Sequence, residues 1–258
     1  MRLDLYLLER GYAPTREKAQ AMIMAGLVLV EGKPVDKPGT RIREGQRVEV
    51  REPPKYVSRG GYKLEGALKR FNLSPEGLIA LDVGSSTGGF TQCLLLHGAR
   101  KVYAVDVGRG QMDQKLREDP RVVLYEETDV RELREEQVPE KVDLITVDVS
   151  FISLKKVIPH VLKFLREGGI LLLLVKPQFE VGPEKVRKGI VKSAEDKERA
   201  ILQVIHLLES EGFRIGGVMK AKPKGVKGNE EFFLLAGKYI KELENLKEAV
   251  ENAVREVV

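Results

Sequence analysis

The stretch "LDVGSSTGGF", residues 81–90, decides the fold. Its apolar start reads as the end of a strand, and its glycines open a helix. Such a loop lets the backbone approach a ligand where side chains would clash. Asp106 closes the next apolar run, 22 residues after Gly84, and an acid there can hydrogen-bond ribose hydroxyls. Gly89 is followed by Phe90-Thr91 rather than Lys-Ser/Thr, so the loop is not a P-loop. The spacing Gly84, Gly88, Gly89 departs from Gly-x-Gly-x-x-Gly, which makes a nicotinamide dinucleotide the weaker reading. S-adenosylmethionine has ribose hydroxyls, no pyrophosphate and a cationic sulfonium, and suits a loop with acids nearby. Asp82, Asp106, Asp129 and Asp148 fall at or just beyond expected strand ends, where a sulfonium-bearing amino acid would lie. The expected cofactor contacts are Asp82, Gly84, Ser85, Ser86, Thr87, Gly88, Gly89, Phe90, Asp106, Asp129 and Asp148.

Outward from this loop, strand and helix patterns alternate. Strands are expected at 79–84, 101–106, 121–125, 142–148, 169–176, 213–221 and 231–237. Helices are expected at about 61–71, 88–97, 109–118, 155–166 and 194–211. That alternation predicts an α/β fold, a mostly parallel Rossmann-like sheet with helices on both faces. The run "ILLLLV", 170–175, has no polar face, as in a strand buried on both sides. The last segment is an amphipathic helix, 241–258, with Leu243, Leu246, Val250, Ala253 and Val257 on one face; it is too short for a coiled coil and is expected to pack on the body.

The 258-residue chain carries a net charge of +5, distributed unevenly. Residues 1–60 hold 12 Lys/Arg against 8 Asp/Glu, a net +4, leaving +1 for the rest. A basic module on a nearly neutral body suggests a polyanionic partner. No apolar run approaches ~18 residues, so no membrane helix is expected. The single cysteine, Cys93, sits at a packing position, excludes an internal disulfide and fits a cytoplasmic protein. His97, His160 and His206 lack ligand spacing, and no metal role is expected.

Residues 1–50 form the basic module. "RLDLYLLERGYAP" has helical spacing closed by Gly11, and "TREKAQAMIMAG" starts on Thr15 as N-cap and closes at Gly26. "LVLVEGKPV" reads as a hairpin around Glu31-Gly32, and "RVEV" as a last strand. This segment resembles the S4 RNA-binding domain, and the resemblance implies that Arg2, Arg16 and Lys18 meet RNA phosphates. Pro53-Pro54 marks a stiff linker at 51–58. The remaining body, 59–240, holds the glycine loop.

The acceptor chemistry lies at the sheet edge. Enzymes that methylate base amino groups carry Asn/Asp-Pro-Pro-aromatic after the fourth strand; here the stretch is "VDVSF", without proline. Cytosine C5 chemistry needs a cysteine nucleophile, and Cys93 is poorly placed. A ribose hydroxyl is the acceptor left. A lysine beside it can stabilise the alkoxide or, once neutral, accept the proton, with carboxylates holding the lysine. Asp148 ends one strand, Lys176 the next, Lys63 sits in "SRGGYKL", and a carboxylate opens the last strand in "GNEEFFLL". One residue of register exchanges Glu230 for Glu231 on that edge.

Together "SRGGYKL", "DVGSSTGGFT", "DVSFISL", "VKPQFE" and "GNEEFF" resemble the TlyA family, S4-bearing ribosomal-RNA 2′-O-methyltransferases with an FtsJ-like domain. The resemblance covers residues 1 to about 238. It implies the catalytic set Lys63, Asp148, Lys176 and Glu231, S-adenosylmethionine as cofactor, cytidine 2′-hydroxyls as target, and ribosomal RNA or ribosomal subunits as partner. Arg59, beside Lys63, joins Arg2, Arg16 and Lys18 as an expected RNA contact. The name haemolysin, used for this family, has no physical support in the sequence, which favours neither a membrane nor a metal partner. A non-catalytic RNA-binding assembly factor on the same fold is the alternative. The lysine-rich loops "EKVRKGIVK" and "MKAKPKGVKGN" lie near the same edge, as RNA guides or plain solvated loops.

Overall fold

The computed structural model describes residues 1–256, and the chain divides after Lys55 into two compact units. In the first, α1 (Leu3–Glu9) precedes α2 (Arg16–Met24). The Thr15 side chain accepts from Lys18 N and satisfies one of the free donors of the α2 N-terminus. Strands β1 (Val28–Val30) and β2 (Lys33–Pro34) form a hairpin through Glu31-Gly32. Both turn residues have positive φ, +51° and +74°, as a two-residue hairpin turn requires. β3 (Val48–Val50) pairs with the other edge of β1. Leu3, Leu7, Ala19, Ile23 and Val28 close a small core of their own.

The second unit runs α3 (Arg59–Arg70), β4 (Ile79–Val83), α4 (Gly89–Leu96), β5 (Lys101–Val105), α5 (Gln114–Arg117), β6 (Val122–Tyr125), β7 (Val142–Val147), α6 (Leu154–Val161), β8 (Leu165–Val175), α7 (Ala194–Ser210), β9 (Arg214–Lys220), β10 (Phe232–Gly237) and α8 (Leu246–Arg255). The sheet order is β6-β5-β4-β7-β8-β10-β9. The strands from β6 to β8 are parallel, and β10 runs antiparallel between β8 and β9. α3, α4 and α5 cover one face; α6, α7 and α8 cover the other. β8 feeds both cores: Leu171, Leu173 and Val175 enter one, Leu172 and Leu174 the other. That double burial is why its sequence shows no alternation.

The structure departs from the sequence expectations at four places. Tyr56, expected in the linker, is buried in the body, where Gly61 leaves it room: a Cβ on Gly61 would lie 2.2 Å from the Tyr56 ring. The helix expected at 109–118 shrinks to the single turn of α5, because the amides of Gly110 and Gln111 bond Glu126 instead of a helical carbonyl. The helix expected at 155–166 ends at Val161 in a 3₁₀ turn, and β8 begins at Leu165. The last helix starts only at Leu246, capped by Asn245, and packs Val250, Ala253 and Val254 on the body; Val257 lies outside the described residues.

Candidate active site

β4 and β7 are neighbours at the point where the strand order reverses, so the loops that follow them face one another. They touch through backbone. Gly84, at φ +82°, packs so closely that a Cβ there would lie 2.1 Å from the Asp148 carbonyl oxygen. Only glycine fits on both counts.

Three adjoining cavities open around this crossing. One, of about 210 Å³, is walled by Ser58–Gly60, Lys63, the glycine loop, Asp148, Lys176 and Glu231. A second, of about 380 Å³, extends toward β5 and combines Asp106 and Asp129 with apolar Val107, Val130, Val149 and Ile152. A third, of about 240 Å³, lies on the far side of Lys176 and Glu231 and is walled by Ser150, Phe151, Phe179, Val226 and Asn229. Asp148 stands between the first two; Lys176 and Glu231 stand between the first and third.

Two lysine–carboxylate pairs face this junction. The Lys63 ammonium, from α3, donates to Glu231 Oε2 at 2.6 Å, both side chains being buried. Lys176 Nζ lies 2.6 Å from Asp148 Oδ1 and donates to Ser150 Oγ at 3.0 Å. The neighbouring Glu230 is elsewhere, bound by Lys197 at 2.6 Å and Lys220 at 3.3 Å. Alternation along β10 explains the split. Phe232 enters the core under α7, so Glu231 turns to the α3 face and Glu230 to the α7 face.

The expected cofactor contacts separate into groups. Ser85, Ser86, Thr87, Gly89 and Phe90 line the smaller cleft. Asp106 is pinned by the amides of Ser86 at 2.8 Å and Gly108 at 2.7 Å and lines the 380 Å³ cavity. Asp129 lines the same cavity, but Arg131 engages both of its oxygens and holds its carboxyl below the usual range. Gly88 turns instead toward Met112 and Leu116. Asp82 is a correction: it lies inside β4 rather than at its end, fully buried, and lines none of these three cavities. Its carboxylate accepts from Thr91 Oγ1 at 2.7 Å and Thr146 Oγ1 at 3.0 Å. Burial, aided by the charges of Asp148 and Asp106, pushes its pKa up to about 7.

Ser85 Oγ is buried and lacks a hydrogen-bond partner among the described residues. A polar group left unpaired on a cleft wall calls for a polar ligand atom. With Asp106 for hydroxyls, apolar walls for a ring and Asp148 for a cation, the residues present fit S-adenosylmethionine.

Several site residues carried no sequence signal strong enough to find them. Phe151 is 90% exposed at φ +63°, tilted against Phe179 at 5.0 Å, on the rim of two cavities. Glu180 holds that rim: its carboxylate accepts from Ser153 Oγ at 2.5 Å and Leu154 N at 2.7 Å. The motifs "DVSFISL" and "VKPQFE" are therefore two halves of one contact. Among the expected RNA contacts, Arg2 and Arg16 both bind Asp4, which is fully buried. Gln20 adds a bond at 3.0 Å, and Arg2 first of all holds the Asp4 carboxyl far below the usual range. Lys18 is exposed. Arg59, at the cleft mouth, donates to the Lys224 carbonyl at 3.3 Å.

The FtsJ-like methyltransferase family model matches residues 56–238, and the S4 domain model matches residues 1–48. The chain is 41% identical over 236 residues to the 16S/23S rRNA (cytidine-2'-O)-methyltransferase TlyA of Mycobacterium tuberculosis, covering 90% of this chain and 88% of that one. It is 42% identical over 234 residues to Hemolysin A of Brachyspira hyodysenteriae, covering 90% and 98%. A solved Streptococcus thermophilus protein that carries a hemolysin name superposes with TM-score 0.75 at 39% identity, covering 98% of this chain and 94% of that one. Among the described residues, no helix is long and apolar enough to cross a membrane.

Proposed function

The chain belongs to the FtsJ-like methyltransferase family and carries an S4 domain; from that premise we propose that it methylates a ribose 2′-hydroxyl, that of a cytidine, in ribosomal RNA. The observation that carries this reading is the junction itself. Lys176, paired with Asp148, stands between the glycine-loop cleft and the 240 Å³ cavity, with the Lys63–Glu231 pair on the same wall.

Ser85, Asp106 and the glycine loop would hold S-adenosylmethionine, which when bound would supply an electrophilic methyl group on a sulfonium. The acceptor ribose enters from the other side, in the cavity rimmed by Phe151 and Phe179. A ribose hydroxyl is a weak nucleophile, and Lys176 is the residue within reach of it. In its neutral form the lysine accepts the hydroxyl proton, and the resulting ammonium stays paired with Asp148. The Lys63 ammonium, fixed by Glu231, adds positive potential where the oxygen gains charge, in a site shielded from water on the α3 side. Phe151 offers an exposed ring against which the base of the acceptor nucleotide stacks. Arg2, Arg16 and Lys18 of the S4 unit and Arg59 contact RNA phosphates, and a ribosomal substrate places the enzyme in the cytosol.

Transfer of labelled methyl from S-adenosylmethionine to ribosomal RNA or subunits, followed by digestion to nucleosides, tests the reading. Label in a 2′-O-methylnucleoside, abolished by Lys176→Ala, supports it. Label in a base removes the role of the lysine pairs. RNA binding without transfer to RNA, subunits or ribosomes leaves an assembly factor.

A further inference from the structure

Two lysine-rich loops wall the 240 Å³ cavity opposite the lysine pairs. Residues 183–192 contribute Val186 and Gly189, and residues 222–229 contribute Val226, Lys227 and Asn229. They are tied together. Asn229 is buried, and its side-chain amide donates to the Gly189 carbonyl at 2.7 Å and to the Val226 carbonyl at 3.3 Å. Gly225 N closes the second loop on Asn229 O at 2.8 Å. The bond from Arg59 to Lys224 O then joins this loop to the start of α3. Three segments far apart in sequence are thus fastened into one rim.

The charge on that rim is one-sided. Lys185 is matched by Asp196, and Lys222 and Lys224 lie near Glu256 and Glu230. Arg59, Arg187, Lys188, Lys192 and Lys227 are exposed and make no ion pair among the described residues. Ordinary solvated loops mix signs, whereas these two carry one acid, Glu184, between them. These cations project from loops whose backbones are tied together through the buried Asn229.

We infer that this rim is a second RNA-binding surface, separate from the S4 unit, which grips the phosphates of the strand flanking the acceptor nucleotide. The inference rests on the proposed function, because a 2′-hydroxyl is bonded one carbon away from the 3′-phosphate ester. A ribose seated beside Lys176 carries its own phosphates out along the cavity wall. Phosphate contacts of this kind fix register and carry no base preference.

The test is equilibrium binding of ribosomal RNA by the full chain over a series of KCl concentrations. Each phosphate contact contributes about 0.7–0.9 to the slope of log K against log salt. The Lys188→Gln/Lys227→Gln double variant is expected to lower that slope by about 1.5. Asn229→Ala, which changes no charge, is expected to weaken RNA binding while S-adenosylmethionine titration stays as in the parent chain. An unchanged slope in the double variant overturns the inference. So does an unchanged slope on free RNA together with weaker binding to whole subunits, which would assign the rim to a ribosomal protein. Methyl transfer by the parent chain is read separately: if it fails, the proposed function falls, and the salt slope still decides the rim.

Discussion

Glu230 and Glu231 are adjacent in the chain and belong to opposite faces of the sheet: Glu231 binds Lys63 at 2.6 Å, and Glu230 binds Lys197 at 2.6 Å. Glu231→Gln is expected to lower kcat by about 10²-fold or more, with RNA binding retained. Glu230→Gln is expected to leave kcat within a few fold but to destabilise the fold by about 1–3 kcal/mol, because it leaves the buried Lys220 ammonium with the Glu256 carbonyl and no carboxylate. Paired kinetics and denaturant melts of the two variants separate the roles.

Gly225 packs against Glu231, and a Cβ there would lie 2.1 Å from Glu231 Oε1. The carboxylate cannot yield without leaving Lys63. Gly225→Ala is therefore expected to cut kcat by roughly tenfold or more, with a melting temperature close to that of the parent. Unchanged kcat would show that Glu231 can move and still serve.

Asp82, which ties α4 to β7 through Thr91 and Thr146, couples stability to pH. The folded protein holds a proton on this carboxyl up to about 7, against 3.8 for the ordinary group. Between those values the unfolded chain has released a proton that the native state keeps. Stability from this group is thus full below about pH 4 and is lost as pH rises toward about 7. At about 1.4 kcal/mol per pKa unit, the effect is on the order of a few kcal/mol. Asp82→Asn should flatten this part of the profile and raise stability at about pH 8 relative to the parent. Denaturant melts across the range check it.

Glu180 is expected to act through the Phe151 rim. Glu180→Ala leaves the Leu154 amide and Ser153 hydroxyl without their acceptor, a loss of about 1–3 kcal/mol. The rise should appear in KM for RNA more than in kcat, since Lys176 keeps Asp148. A fall in kcat with KM unchanged would place Glu180 in a different role.

The sheet was legible because its strands are apolar runs cut by glycine loops, and "ILLLLV" announced its own double burial. Lys63, Asp148 and Lys176 were legible as residues at strand ends or in a motif, and the structure gathers them within one cleft. Asp82 was not, since a period of two decides whether an acid faces a cavity or a core, and one residue of register reverses the answer. The same limit left Glu230 and Glu231 open to physics until the pairing of Phe232 with Val175 set the phase. Asn229, Glu180 and Thr146 escaped because their partners lie 27–64 residues away: Asn229 meets Gly189, Glu180 meets Ser153, and Thr146 meets Asp82. No local pattern encodes a contact of that span.

Asp4 has a further consequence for the S4 unit. Arg2 and Arg16 both donate to its buried carboxylate, so two of the long side chains expected to meet RNA are already tethered in the free protein. Long arginines ordinarily surrender rotational freedom when they dock. Here that loss belongs to folding, and RNA association should carry a smaller entropic penalty per arginine than at Lys18. Replacing Asp4 by Ala would set both guanidiniums free: calorimetry should then show a more unfavourable entropy of RNA binding even though the module has become one charge more basic.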